Sequence, residues 1–437
     1  MPRVVADAGF KPHTGPPVNP NRVYAVSRIQ VERVAPATEA ETRARLARAK
    51  RIVIKVGSNV LVGGSANLID RHNFCAIVET IARLAEVPGR HIVLVTSGAV
   101  AVGRRSLASL RRPDDGRTDT LSAKQALAAI GQPRLMHLYG EEFAFYGKQV
   151  AQVLLTRDDI ANRERFLNAR ITFREMELVP AIIPIVNEND TVATEELRFG
   201  DNDQLAGLLT SVVGADLLII LSDVSAVFDA DPTRDPQATP IPVAYADDAS
   251  LLAIAGPTSQ EGPGTGGMAS KIRAARIAAG YGVPTIIGPG RELSGLGSAL
   301  SGSAGFGTLL VPRDQQLGAR KSWIKFGSRP SGVVSVDAGA ERALRELGKS
   351  LLPSGLLGVS GDFTSGAAVD LQNEAGNLFA RGLVAYSASE LRRLRGLRSE
   401  QIAETLGYSN GDAVIHRDDL VLLDEPGAAG SIEPSED

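Results

Sequence analysis

One cysteine, five histidines, few aromatic residues and almost no net charge set the first limits on this 437-residue chain. A single thiol, Cys75, makes no internal disulfide, so the fold does not depend on an oxidising compartment. Cys75 lies in the apolar-periodic stretch 74–84 and reads as a small buried helix residue rather than a nucleophile. The histidines (His13, His72, His91, His137 and His416) show no metal-ligand spacing. No run of 18 apolar residues is present and the N-terminus lacks a signal-peptide core, so the chain reads as cytoplasmic, with no membrane partner. Aromatic residues make up only 5% while glycine occurs 45 times, a balance that favours an α/β protein over an aromatic-rich sandwich. The net charge of -3 provides no chain-wide field for nucleic acid. A Walker A loop, GxxxxGK[ST], is absent throughout, which excludes a P-loop NTPase.

What is present is an alternation. The chain is too long for one compact core and predicts two or three units. Residues 1–50 form an N-terminal extension, mobile and proline-bearing through 36, then helical over 38–50 with Thr38 as N-cap. From Arg51 onward, short apolar runs (52–56, 92–95, 150–155, 181–186, 217–221 and 285–287) alternate with helical patterns (72–84, 122–139, 203–213 and 270–279). Several runs are almost continuously apolar, as strands covered on both faces are. The pattern predicts a three-layer α/β/α sandwich with a mostly parallel sheet over 51–313. A junction at 314–330 holds the only tryptophan, Trp323. Residues 331–424 then read as a small β-rich unit with helix-like pieces at 340–347 and 389–395, and 425–437 as a frayed acidic tail.

Ligands of such sheets bind beyond the carboxyl ends of the strands, and the loops there are unusual. The first strand runs into Lys55-Val56-Gly57-Ser58-Asn59. A lysine ending a buried strand is costly unless an anion faces it, though it can also snorkel to solvent. The second strand runs into Thr96-Ser97-Gly98-Ala99-Val100; taken singly, that is more often a simple N-cap with a packing glycine. Asn187-Glu188-Asn189-Asp190 and Gly200-Asp201-Asn202-Asp203 bring carboxylates and amides together, a set that suits an amino acid. One such run is usually just solvated; two at the strand ends of one sheet are harder to dismiss. Ser222-Asp223 ends the fifth strand. Gly262 through Lys271 places glycines before a helix with a lysine in its first turn, which makes either a phosphate cradle or a flexible loop with a solvated lysine. Gly262, Gly264 and Gly267 match GxGxxG, but no strand precedes them and no acid follows about 20 residues on, so a dinucleotide fold is rejected.

In this order, Lys55-Val56-Gly57-Ser58, Thr96-Ser97-Gly98-Ala99, Asn187–Asp190, Gly200–Asp203 and Gly264-Thr265-Gly266-Gly267-Met268 resemble the motifs of the glutamate 5-kinases. The segment 163–170 is similar to that family as well, and the resemblance spans about 51–424. It implies the amino acid kinase fold, with a PUA-like unit at 331–424. It implies ATP contacts at Lys55, Ser222, Asp223, Thr265, Gly266, Gly267, Met268, Ala269, Ser270 and Lys271, and glutamate contacts at Ser97, Asp190 and Asn202. Lys55, Lys271 and Asp203 are then the catalytic residues, with Asp203 orienting the two lysines. Mg²⁺ accompanies ATP, on ligands the sequence does not identify. The resemblance further implies a homo-oligomer, a dimer or tetramer, and a functional coupling to glutamyl phosphate reductase. Two departures stand out: Ser222-Asp223 where many relatives have Thr-Asp, and Ser58-Asn59 where Thr-Ser is frequent.

The glutamate γ-carboxylate is already ionised at neutral pH, so its phosphorylation needs no general base. Catalysis is then positioning and charge neutralisation, the two lysines acting from opposite sides of the transferring group. Two alternatives stand beside this reading. One is another phosphotransferase of the same fold, acting on acetylglutamate or aspartate. The other is RNA binding through the PUA-like unit, for which Arg392, Arg393, Arg395 and Arg398 are the supporting feature; the plainer reading of these arginines is a solvated helix face.

Overall fold

The computed structural model describes residues 28–63, 68–108, 120–193, 202–254, 267–313 and 319–423. The expected mobility of 1–27, the tail at 425–437 and the loop residues Asp201, Thr265 and Gly266 lie outside the described residues.

Eight strands form the main sheet: β1 (Arg51–Val56), β2 (His91–Val95), β3 (Gln149–Leu155), β4 (Ile182–Glu188), β5 (Leu217–Ser222), β6 (Val243–Tyr245), β7 (Thr285–Pro289) and β8 (Thr308–Val311). Their order is β3-β4-β2-β1-β5-β7-β8-β6. The six strands from β3 to β7 run parallel. β8 is antiparallel to β7 and carries β6 parallel to itself, so the sheet is mostly but not wholly parallel. The six apolar runs seen in the sequence are the six parallel strands; β6 and β8, three and four residues long, were not expected.

Alternation along β1 explains both the layers and the site. Ile52, Ile54 and Val56 enter one core with Phe74, Ile77, Val78 and Ile81 of helix α2 (Arg71–Leu84). Val53 enters the opposite core with Leu205, Leu209, Ile272 and Ala275. Those residues belong to two helices of the second face, Asn202–Val213 and Met268–Gly280. Lys55 shares the parity of Val53, so its side chain points toward that second pair of helices.

Numbered along the chain, the other main helices of this part are α1 (Pro36–Ala47), α3 (Ala99–Ala108), α4 (Leu121–Ala144), α5 (Arg163–Glu177), α6 (Asn202–Val213) and α7 (Met268–Gly280). The N-cap of α1 is Ala35, with Pro36 at the first helical position, and it makes no side-chain cap; Thr38 sits inside the helix. Residues ahead of α1 are tied down, Ile29 N donating to Asp229 O at 3.1 Å and Glu32 pairing with Arg313. Cys75 is half-buried in α2, and burial pushes its thiol pKa up, which suits packing rather than nucleophilic chemistry.

Two helix pairs approach closely enough to need glycine. A Cβ on Gly131 of α4 would lie 1.8 Å from Ala99 O of α3, and one on Gly207 of α6 would lie 2.7 Å from Ala274 O of α7. The second contact sits about one turn inside both helices, so it fixes how their first turns face each other.

The C-terminal part is a five-stranded sheet of β9 (Gly332–Val336), β10 (Leu356–Gly361), β11 (Ala368–Gln372), β12 (Leu378–Leu383) and β13 (Leu420–Leu422), in the order β10-β9-β11-β12-β13. It packs on α8 (Ala338–Glu346) and α9 (Ala388–Leu394) around its own core. A helical turn at Ala319–Ser322 and a π-helical turn at Trp323–Gly327 join the two parts. Trp323, Ile324 and Val421 of β13 all enter the second core of the main sheet. Trp323 Nε1 donates to Ile160 O at 3.1 Å, and Arg381 of β12 donates to Ser328 O at 3.2 Å while pairing with Asp370.

Candidate active site

The carboxyl ends of β1, β2, β4 and β5 and the N-termini of α6 and α7 meet on the second face. Lys55 is the penultimate residue of β1 and is 2% exposed; Asp203 is the second residue of α6 and is 0% exposed; Lys271 lies in the first turn of α7 and is 6% exposed. Lys55 Nζ pairs with Asp203 Oδ1, and Lys271 Nζ lies 3.3 Å from Asp203 Oδ2. One carboxylate therefore serves two buried ammonium groups that are 216 residues apart in the chain, and the trio carries a formal charge of +1. Two ammonium groups gathered on one carboxylate, nearly shielded from water, make a setting suited to receiving a further anion.

The next residue toward the N-terminus extends the site. Asn202 Nδ2 donates to Thr96 O at 2.8 Å, to Ser97 Oγ at 3.0 Å and to Asn187 Oδ1 at 2.8 Å. That amide locks together the loops after β2 and β4. Asn187 is fixed in turn, donating to Gln132 Oε1 of α4 at 2.8 Å. The Asn202 Oδ1 atom is buried with no partner among the described residues. Gly98 has φ +105°, a left-handed backbone that lets the chain turn sharply from β2 into α3 and leaves Ser97 at the bend. Asp190 lies three residues beyond Asn187, in the turn after β4.

A third group sits at the end of β5. Ser222 Oγ donates to Asp223 Oδ1 at 3.1 Å and Asn59 Nδ2 donates to Asp223 Oδ2 at 2.9 Å. Burial alone would raise the Asp223 carboxyl. The bonds from Ser222 and Asn59, with the field of Lys271, outweigh it and hold the group below the usual carboxylate range. Gly267 caps α7 with no side-chain hydrogen bond, leaving first-turn N–H groups for another acceptor. Beside it, Ser270 Oγ is buried without a partner among the described residues. A Cβ on Gly57 would stand 3.7 Å from Lys55 Nζ, so this glycine lies directly beside that ammonium group.

Of the residues singled out in the sequence, Lys55, Asp203 and Lys271 form one cluster, Ser97 and Asn202 a second joined to it through consecutive residues, and Ser222 and Asp223 a third. Met268, Ala269 and Ser270 form the first turn of α7 beside Lys271. Three contributors were not singled out: Asn187, Gln132 and Asn59. Asn187 stood in the same motif as Asp190 and was legible as a polar residue ending a buried strand. Asn59 stood at a noted departure, and its role as the donor to Asp223 is visible only in three dimensions. Gln132, in mid-helix, gave no signal.

In the C-terminal part, Arg392 and Arg393 donate to the carbonyls of Gly361 and Thr405, and Arg395 to that of Leu357 at 3.5 Å. These guanidinium groups are turned onto their own backbone.

The chain matches the amino acid kinase family over residues 50–288 and the PUA domain over residues 332–406. The glutamate 5-kinase of Meiothermus ruber is 46% identical over 376 residues, 86% of this chain and 96% of that one. That of Geobacter sulfurreducens is 46% identical over 378 residues, covering 86% and 99%, and that of Thermus thermophilus 47% over 378 residues, covering 86% and 98%. Among solved structures, an isopentenyl phosphate kinase is similar at 18% identity and a TM-score of 0.41, covering 60% of this chain and 100% of that chain.

Proposed function

We infer, from a chain that belongs to the amino acid kinase family and within it to the glutamate 5-kinases, that phosphoryl transfer to the glutamate side-chain carboxylate is carried by Lys55, Lys271 and Asp203. The observation that carries this assignment is the single buried carboxylate shared by two lysines from different elements. Two anions, the acceptor carboxylate and a polyphosphate, must approach each other, and the ammonium pair offsets that repulsion. Asp203 is a positioning residue: it holds the two ammonium groups together at one carboxylate. No proton needs to be removed from an acceptor already ionised at neutral pH.

Kinase relatives support ATP as the phosphoryl donor. The unpartnered Ser270 hydroxyl, the uncapped start of α7 and Gly57 beside Lys55 fit its phosphates, and Ser222 and Asp223 lie at the same rim. Thr265 and Gly266 belong to the same assignment by their place in the sequence. Ser97, Asn202 and Asp190 hold the amino acid, the free Asn202 Oδ1 accepting from its ammonium group. Mg²⁺ would be borne mainly by the substrate phosphates, with Asp223, an ionised carboxylate at the same rim, the side chain that would offer it a ligand. When bound, Mg²⁺ supplies further neutralisation of the phosphate charge.

The product, an acyl phosphate, is short-lived in water, which supports coupling to glutamyl phosphate reductase; the glutamate 5-kinase relatives support a place at the start of proline synthesis. Exposed Leu167 and Ile171 on α5, with Leu178 and Val179 just beyond it, support assembly into a dimer or tetramer. No helix among the described residues is long and apolar enough to cross a membrane, and we assign the cytoplasm. Division into a catalytic part at 51–313 and a PUA-like part at 331–424 is supported by the two family matches.

The test is glutamate-dependent ADP release, with and without hydroxylamine to trap the acyl phosphate as a hydroxamate. Hydroxamate formed from glutamate, with acetylglutamate and aspartate inert, is the expected result. ADP release without hydroxamate, or with equal rates on the other acceptors, overturns it.

A further inference from the structure

The catalytic cluster accounts for the N-terminal end of α7. At the other end of that helix, Ala279 and Gly280 line a separate cleft of 540 Å³ between the main sheet and the C-terminal part. Eight residues separate Lys271 from Ala279, about 12 Å along a helix, so the two sites are distinct.

We propose that this cleft is a binding site for a small, multiply charged phosphate-bearing anion. Its volume lies in the range of small-molecule sites, about 300–1,000 Å³. Its charge is one-sided. Arg276 comes from α7, Lys321 and Lys325 from the joining turns, Arg345 from α8, and Lys349 and Arg417 from the C-terminal part. A seventh cation, Arg313, is paired with Asp247 and Glu32; Arg345 is paired with Glu341 at 2.9 Å and Arg417 lies 3.8 Å from Asp418, while Asp247 is the one carboxylate in the lining. Arg276, Lys321 and Lys349 have no carboxylate partner among the described residues. Three cations without a carboxylate partner gathered in one cleft, on a chain whose net charge is -3, are not a reflection of general basicity. Such a concavity between low-dielectric walls focuses a positive potential, and Arg276, Lys321 and Lys349 are the cations whose charge an entering anion would offset.

The floor narrows the class of ligand. Leu344, Leu420 and Val421 are buried there, and the Phe326 ring stands at the edge with Lys325 Nζ 5.5 Å from its centroid. An apolar floor under a cationic rim suits a phosphorylated organic molecule, the phosphates on the rim and the apolar portion below. A single cleft of this size favours that ligand over a polynucleotide, which needs a basic track with stacking platforms. Both parts of the chain supply cations, so the site exists only while they are packed together.

The probe is inorganic tripolyphosphate, titrated calorimetrically into the full chain with and without saturating AMP-PNP. We expect binding that persists with AMP-PNP present. In Lys321→Glu/Lys349→Glu it should weaken on the order of tenfold or more, while kcat and the KM values for ATP and glutamate stay unchanged. Binding lost in AMP-PNP would place the anion in the active site and overturn the proposal. No binding by the wild type, or equal binding by the double variant, would overturn it too. A parallel titration with single-stranded RNA separates the sources: salt-dependent RNA binding that needs Lys321 and Lys349, without tripolyphosphate binding, would assign the cleft to a macromolecule instead.

Discussion

Replacing Asp203 by asparagine preserves shape and removes the charge between two buried lysines, and the structure allows the consequence to be worked out. At 3.3 Å and an effective dielectric of about 20, the Lys271–Asp203 attraction is about 5 kcal/mol before desolvation is counted. Lys55 has a contact of the same kind. Measured losses for a buried charge left without its partner are smaller, roughly 3–5 kcal/mol, because water and side chains rearrange. On a unit of this size that is a fall on the order of 10 °C in the unfolding midpoint. Lys271→Met differs in kind: it removes one cation and leaves a one-to-one pair of Lys55 with Asp203, at a cost of about 1 kcal/mol. Both variants should lose turnover by on the order of 10²–10³. Asp203→Asn/Lys271→Met should be less destabilised than the sum of the single variants, by about 0.5–3 kcal/mol, while remaining inactive. Thermal unfolding by circular dichroism and coupled ADP release measure the two quantities separately. If Asp203→Asn melts with the wild type, or Lys271→Met is equally destabilised, the shared carboxylate does not hold the pair and the reasoning fails.

Asn202→Ala unties the loops after β2 and β4 and removes the free Oδ1 acceptor; the glutamate KM should rise at least about tenfold with the ATP KM nearly unchanged, and an unchanged glutamate KM would contradict the assignment. Gly131→Val drives a side chain into Ala99 O, so α3 and α4 must separate at a cost of about 1–3 kcal/mol or more, read as a lowered midpoint in urea; a wild-type midpoint would show that the contact yields freely. The folded Asp223 carboxyl is depressed, so its contribution to stability is present above its unfolded pKa, about 3.9, and is lost as pH falls through the lower folded value. Asn59→Ala removes one of the bonds that depress it, so acid unfolding should begin at a higher pH; an unmoved acid midpoint would assign the depression to other groups.

The sequence was most informative where a physical rule links pattern to position. Continuous apolar runs named the six parallel strands, and the rule that ligands lie beyond their carboxyl ends pointed to the loops that carry Lys55, Ser97, Asn187 and Ser222. The parity of Val53 and Lys55 was also there to be read, since it sends the lysine to the face opposite Ile52 and Ile54. The antiparallel edge was not legible, because three- and four-residue strands carry too little pattern. Nor was the crossing of α6 and α7: a glycine and an alanine in mid-helix look unremarkable until their backbones touch, yet that contact places Asp203 beside Lys271. The loop residues alone left each motif with a plain alternative, and their order along the chain, through resemblance, was what joined them.

The way Trp323, Ile324 and Val421 fill the second core bears on any attempt to cut the enzyme in two. A protein ended at Val311 would keep every strand of the catalytic sheet and all of the proposed machinery, but would open a void beneath α5 and α7 where an indole and two aliphatic side chains had been. Such a fragment should be stickier and less stable than the intact enzyme even with its chemistry complete. The β-rich part is, in that sense, a lid on the oil as well as a domain of its own.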